Sequence, residues 1–344
     1  MSQQIPETEI NLVNQRKHQD ASERFKLELW QKRQSIAALI KHHLRLQVDD
    51  TCVVLPHEKW INGCFNVCVQ AEVTAGNLTK KLIFRCPIPP HAGQHSPGAI
   101  DEKVSCEVAT YIWMQQHCPE VRIPDLLAFG FTDDSSCLSY PILSDYIHNQ
   151  AAPTVGTAYI LLEYIGPETG RMLSTTWFDH WSDTARRKNL FAGMSRIMLS
   201  LARIPQQKIG SFRFNALDCT TALSNRPLMC TVAILEQQGT PTTIPEDRVY
   251  QNTDSFVSDM LTMHDNHLTH NPHAVRDEDD ARKEFLSSID RELEHVQVEH
   301  DIHITRTMRE SWDSKGLWYW ACIESTNGWL FVLEDHIIPM FSST

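Results

Sequence analysis

The chain has 344 residues, 42% of them hydrophobic and 22% charged, enough to bury a large core without help from disulfides or metal. Its 31 basic and 43 acidic residues give a formal net charge of −12, which argues against nucleic acid as a partner, since that affinity rests on surplus Lys and Arg facing phosphate. With 13 Gly and 17 Pro it also lies outside the low-complexity and collagen-like classes. The first thirty residues are polar, with Glu7 and Glu9 early, and do not read as a signal peptide or presequence. No window approaches the roughly 20 apolar residues that span a bilayer. The ten cysteines contain no C-x-x-C pair, so they read as free, mostly buried thiols of a cytoplasmic protein.

From Ser22 to about Leu46, Phe25, Leu29, Ile36, Leu39, Ile40 and Leu44 recur at helical spacing. Val67, Val69, Ala71 and Val73 then alternate with Cys68, Gln70 and Glu72, the period of a strand with one buried face. Lys81–Cys86 reads as its antiparallel partner, joined by a loop longer than two residues that contains Gly76-Asn77. After a Pro-, Gly- and His-rich loop, Asp101 offers an N-cap to a helix running to about His117. Ala158–Ile165 is a continuous apolar strand that stops at Gly166-Pro167, a hinge between two lobes. Beyond it Leu190, Met194, Ile197, Met198 and Leu201 form a helical stripe, followed by helices at about Asp254–His264 and Asp277–Val296. A strand-rich half followed by a helix-rich half predicts an α+β fold.

Glu107 shares one helix face with Val104, Val108 and Tyr111. A carboxylate among apolar neighbours needs a cation or water, and Arg85 on the preceding strand is the nearest candidate. An ordinary strand–helix ion pair would satisfy it. His264, His267, His270 and His273 fall at three-residue intervals. Two of them could share a metal, but Pro272 breaks the helix and no Cys lies near, so packing or helix-end roles are preferred. The sequence has no phosphate-binding P-loop, dinucleotide glycine fingerprint or nucleophile elbow. The loop Asn62–Asn66 has a single glycine.

Taken in order, NGCFNVCVQAEV, KLIFRCPIPP, EKVSCEVATYIWM, IPDLLAFGF and YILLEYIGPETGRML resemble the N-lobe of the aminoglycoside phosphotransferase/choline kinase-like family. IPQQKIGSFRF, ALSNRPLMC and DSFVSDMLTMHDNHL are similar to its fungal members, so the likeness spans roughly residues 45–300 as a series of weak motifs. The resemblance implies a protein-kinase-like two-lobed fold with an antiparallel-sheet N-lobe and a helical C-lobe. It implies transfer of the γ-phosphate of ATP, with magnesium, to the hydroxyl of a small-molecule acceptor whose identity the sequence does not give. By position, Gly63, Phe65 and Asn66 would cover the phosphates. Arg85 would stand where the family's kinases carry the phosphate-contacting lysine, with Glu107 as its helix partner. Glu163, Tyr164 and Ile165 would grip adenine through backbone groups. Asn225-Arg226-Pro227 is a further family-like mark, without a role derivable from sequence.

The resemblance also demands a catalytic loop whose Asp positions the acceptor, whose Asn binds magnesium, and which a second metal-binding Asp follows. The nearest candidate is Glu334-Asp335-His336. One register puts Glu334 at the Asp and Pro339 at the Asn; the other puts Met340 at the Asn. No metal ligand is therefore assigned, and the C-lobe is expected to be incomplete. Trp312, Trp318, Trp320 and Trp329 crowd an atypical tail. The expected organisation is an N-terminal polar segment and helix over 1–44, an N-lobe over 45–166, a partial C-lobe over 167–311 and the tail over 312–344. The expectation is a phosphotransferase-like protein, truncated and impaired in catalysis, with a non-catalytic nucleotide-binding pseudokinase or scaffold as the alternative.

Overall fold

The computed structural model describes residues 12–63, 65–89, 98–133, 135–140, 145–148, 153–171, 173–180, 182–237, 239–241 and 243–270. Within them the chain forms two compact units. One comprises Ala21–Ile204 and Phe212–Asn225; the other comprises the described residues up to Asp20, Pro205–Ser211 and the described part of the stretch that begins at Arg226.

The first unit is α+β, built on an antiparallel sheet. Helices α1 (Leu12–Gln31) and α2 (Arg33–His43) lead into β1 (Thr51–Val54), β2 (Ile61–Asn62), β3 (Asn66–Ala75) and β4 (Leu78–Pro87). After α3 (Ala99–His117) come β5 (Leu126–Gly130), β6 (Ser136–Tyr140), β7 (Asp145–His148) and β8 (Tyr159–Glu163). The strand order is β1-β3-β4-β8-β5-β6-β7, with β2 also pairing with β3. Helices α4 (Leu173–His180) and α5 (Thr184–Ala202) follow, then the hairpin of β9 (Ser211–Asn215) and β10 (Thr220–Asn225).

Alternation along β3 sends Val67, Val69, Ala71 and Val73 to one face, where they pack with Phe25 and Leu29 of α1 and Ile36, Leu39 and Ile40 of α2. The helix expected from Ser22 is thus present, but it is divided at Lys32, whose φ of −84° and ψ of 6° interrupt its regular geometry. Lys32 instead extends its ammonium to the carbonyl of Val155 at 2.9 Å. The opposite face of β3 is buried too, contrary to the one-sided strand that alternation suggested: Cys68 and Gln70 are covered. The same face carries Arg85, which meets α3 at Glu107; Val104 and Val108 of α3 are fully buried.

Two local expectations are corrected. Ala75 pairs with Leu78, so the β3–β4 connection is the two-residue turn Gly76-Asn77. Gly76 has φ of 57°, the positive φ that tight hairpin turns require at a central position. Helix α3 starts at Ala99 with Gly98 at its N-cap. Asp101 lies in its first turn, and its carboxylate accepts hydrogen bonds from the backbone N–H (2.9 Å) and hydroxyl of Thr132.

In the second unit, Ile209 and Tyr250 exchange backbone bonds of 2.8 and 2.9 Å. Ile244 and Tyr250 pack with Phe256 and Met260. Helices α6 (Cys230–Gln237) and α7 (Thr253–His270) meet through Val232, Leu235 and Met263.

One buried polar contact ties α2 to the sheet. His43, 4% exposed, lies with its Nε2 2.5 Å from the hydroxyl of Tyr159 on β8. The Tyr159 ring stacks on Phe84 and crosses Gly130, where an added Cβ would lie 2.5–2.8 Å from ring atoms and the hydroxyl. Burial, aided by the charge of neighbouring His42, lowers His43 from 6.5 to about 4. The unfolded chain therefore takes up this proton first. The contribution of His43 is fully present above pH 6.5 and is lost as pH falls to about 4, a loss of roughly 3 kcal/mol at most. Urea midpoints measured across that window should fall in the native chain and fall less in His43→Gln. Parallel declines would remove His43 as the cause.

Candidate functional site

Arg85 sits inside β4, 1% exposed. A guanidinium so placed must find acceptors within the protein, because its desolvation is otherwise uncompensated. Two neighbouring elements supply them. From α3, the Glu107 carboxylate pairs with Nη1. From the start of β3, the Asn66 amide oxygen accepts from Nη2 at 2.6 Å while its nitrogen donates to Phe65 O at 3.2 Å. Arg85 Nε has no hydrogen-bond partner among the described residues. Glu107 keeps 17% of its side chain exposed, so the cluster meets solvent on the carboxylate's side.

Helix α3 adds two further groups, one turn to either side of Glu107. Lys103 holds its ammonium 4.7 Å from the centre of the Phe65 ring, within cation–π range. Burial raises the Tyr111 phenol to about 12, with the Arg85 charge partly opposing. Tyr111 thus stays a neutral phenol at ordinary pH and cannot serve there as a base.

The sequence-predicted residues are in part brought together. Phe65, Asn66, Arg85 and Glu107 form one cluster. Gly63 closes the adjacent loop, its N–H donating to Asn66 O at 3.0 Å, while Ile88 N–H donates to Phe65 O at 2.8 Å. The Gly63 amide is therefore engaged within the loop. Glu163 ends β8, where Leu82 is its cross-strand partner and Arg85 faces Ile160. Three strand positions separate the two groups, about 10 Å along the sheet. Glu163 is itself engaged: its N–H donates to Asp125 O at 3.0 Å and its carboxylate accepts from Asp125 N–H at 3.3 Å, with Arg122 at 3.6 Å. Tyr164 lies with its ring 5.8 Å from the Lys81 ammonium, and Ile165 is half-buried.

Glu334, Asp335 and His336 lie outside the described residues, as do His273, the helix expected over Asp277–Val296 and the Trp-rich tail. Of the histidine series, His267 shares a 2.8 Å hydrogen bond with Thr240. His270 donates from Nδ1 to Asn266 O at 2.8 Å. Burial lowers both His264 and His267, the latter also through the charge of His264. Among the described residues no group of three or more His, Cys, Asp or Glu could hold a metal ion.

Sequence reasoning missed a second buried polar chain. Glu102, on α3 and 2% exposed, accepts from Asn225 Nδ2 at 2.8 Å; Asn225 Oδ1 accepts from Arg213 at 3.1 Å. Ser105 on the same helix donates to Phe214 O at 2.8 Å and accepts from Phe214 N–H at 3.1 Å. The β9–β10 hairpin is thereby bonded to the helix that carries Glu107. The next residue, Arg226, belongs to the other unit, where it pairs with Glu236 at 2.6 and 3.4 Å. The Asn225-Arg226 mark was the available signal, but partners as distant as Glu102 leave no local pattern.

No family model, curated protein or solved structure matches this chain.

The ion pair should behave as a unit. Glu107→Ala leaves a buried guanidinium unpaired and should cost about 3–5 kcal/mol, whereas the double change Arg85→Met, Glu107→Met should cost much less than the sum of the two single changes. A denaturation double-mutant cycle reads this directly, and additive costs would show that the two side chains do not couple.

Proposed function

We propose that this chain binds a nucleotide such as ATP at the Arg85 cluster, within a protein-kinase-like two-lobed frame, and that its transfer of phosphate to a small-molecule hydroxyl is impaired. The observation that carries the reading is the Nε of Arg85. It is a buried donor with no acceptor among the described residues, a state that costs about 1–3 kcal/mol until an acceptor arrives. A phosphate oxygen is the acceptor that a guanidinium fits best. The ordered resemblance of residues 45–300 supports it, as does the joining of Arg85 to Glu107 across strand and helix.

Phe65 and Asn66 beside Arg85 would hold the phosphates, and the chain at Glu163, Tyr164 and Ile165 would lie beside the base. Magnesium would neutralise phosphate charge in a complete member of such a family. The described residues offer no ligand set for it, so no step is routed through the ion. The degenerate segment at Glu334-Asp335-His336 supports the expectation of impairment.

One observation favours a non-catalytic scaffold instead. Arg85 is 1% exposed and both of its terminal nitrogens already have partners, as a structural brace requires.

Calorimetric titration of the full chain with ATP, with and without magnesium chloride, separates the readings. Saturable binding is expected, weakened about tenfold or more in Arg85→Met, Glu107→Met if the guanidinium contacts phosphate, without measurable phosphate transfer to added alcohols. Folded protein that binds no ATP at millimolar concentration would sink the nucleotide site and leave the scaffold.

A further inference from the structure

We propose that Cys137 and Cys219 form an oxidisable pair, a site where peroxide converts two thiols into a disulfide that staples the β9–β10 hairpin to β6. The two residues are 82 positions apart in sequence, yet their Sγ atoms lie 3.9 Å apart. Neither is in a disulfide, Cys137 fully buried on β6 and Cys219 half-buried in the hairpin turn.

The fold holds the two thiols together from both sides. Cys137 is the cross-strand partner of Phe129 on β5, and the Phe129 ring packs edge-on against Phe214 of the hairpin at 4.8 Å. Phe214 is in turn fixed to Ser105 of α3. The turn itself is pinned. Asn215 Oδ1 accepts from Leu217 N–H at 3.0 Å, and Asp218 Oδ1 accepts from the N–H and hydroxyl of Thr220 at 3.1 and 2.7 Å.

Cys219 occupies a position that local preference would give to Gly or Asn. Its φ is 57°, in the left-handed region where a side chain with Cβ is disfavoured. Strain of this kind persists where the surrounding structure demands it and points to a role for the side chain. Here the strained residue carries the sulfur that meets Cys137.

Exposure divides the roles. Burial, with the nearby Cys219, pushes the Cys137 thiol well above its ordinary value, so it does not lead as a thiolate. Cys219, reached by solvent, attacks hydrogen peroxide: its sulfur bonds to one oxygen, the O–O bond breaks, and the other oxygen leaves as water. The sulfenic acid formed on Cys219 is then attacked by Cys137. The S–S bond forms, the S–O bond breaks, and the hydroxyl leaves with the Cys137 proton as a second water. The net change is two thiols and one peroxide to one disulfide and two waters. Bonding requires the sulfurs to close to about 2 Å, a movement of about 2 Å shared between the turn and the two side chains.

The test uses the full chain, reduced, freed of reductant and exposed to equimolar hydrogen peroxide. Mass spectrometry of the non-reduced digest should show a cross-linked pair of peptides containing Cys137 and Cys219, reversed by dithiothreitol, and the oxidised chain should melt at higher temperature. Cys137→Ser should leave a Cys219 sulfenic acid that dimedone traps, and Cys219→Ser should abolish the cross-link. Oxidation confined to other cysteines would overturn the proposal. So would dimedone labelling of Cys137 ahead of Cys219 in the native chain, or the absence of this cross-link there, whatever the variants do.

Discussion

A guanidinium in the middle of a buried strand is the constraint on which the first unit depends. Arg85 cannot be solvated where it stands, so the elements around it are placed by its need for acceptors. Asn66 must begin β3 opposite the end of β4, which fixes the hairpin register, since a slip of one residue would send Arg85 to the face occupied by α1 and α2. Helix α3 must lie across the other face with Glu107 towards the sheet. An apolar residue at position 85 would pack as well or better. What the charge adds is a unique arrangement of strand, loop and helix.

Helix α3 is held at more than one place. Glu107 bonds to the sheet, while Glu102 and Ser105, within two turns of it, bond to the β9–β10 hairpin. Two carboxylates on one helix, one buried and one partly so, each with a partner from a different element, leave the helix little freedom to rotate or slide. A helix so fixed suits a brace. It equally suits a site whose cation must be held still.

The parts of this fold legible in the sequence are those where local pattern and tertiary outcome coincide. Alternation at Val67–Val73 marked a strand, the apolar run at Ala158–Ile165 marked another, and the carboxylate on the apolar face of α3 pointed to Arg85. Alternation did not reveal that Cys68 and Gln70 are also covered, because nothing within a strand records what packs on its second face. The break at Lys32 was hidden since helical spacing continues on both sides of it. Short strands such as β6, β9 and β10 leave too few residues to establish a period. Asn225 and Arg226 were noticed without being understood, their meaning lying in Glu102 and Glu236, which belong to different units.

Gly130 gives an example of control exerted by absence. Because nothing projects from it, the Tyr159 ring can lie flat across β5 and present its hydroxyl to His43 in another layer. Any side chain at that position would lift the ring, admit water to the imidazole and let His43 return toward its ordinary value, at the cost of the buried contact. The acid response of the α2 layer is therefore set in part from the adjacent sheet, by a residue with no titratable group and no side chain. Variants whose stability depends less on pH across that window would best be sought at that glycine as well as at His43.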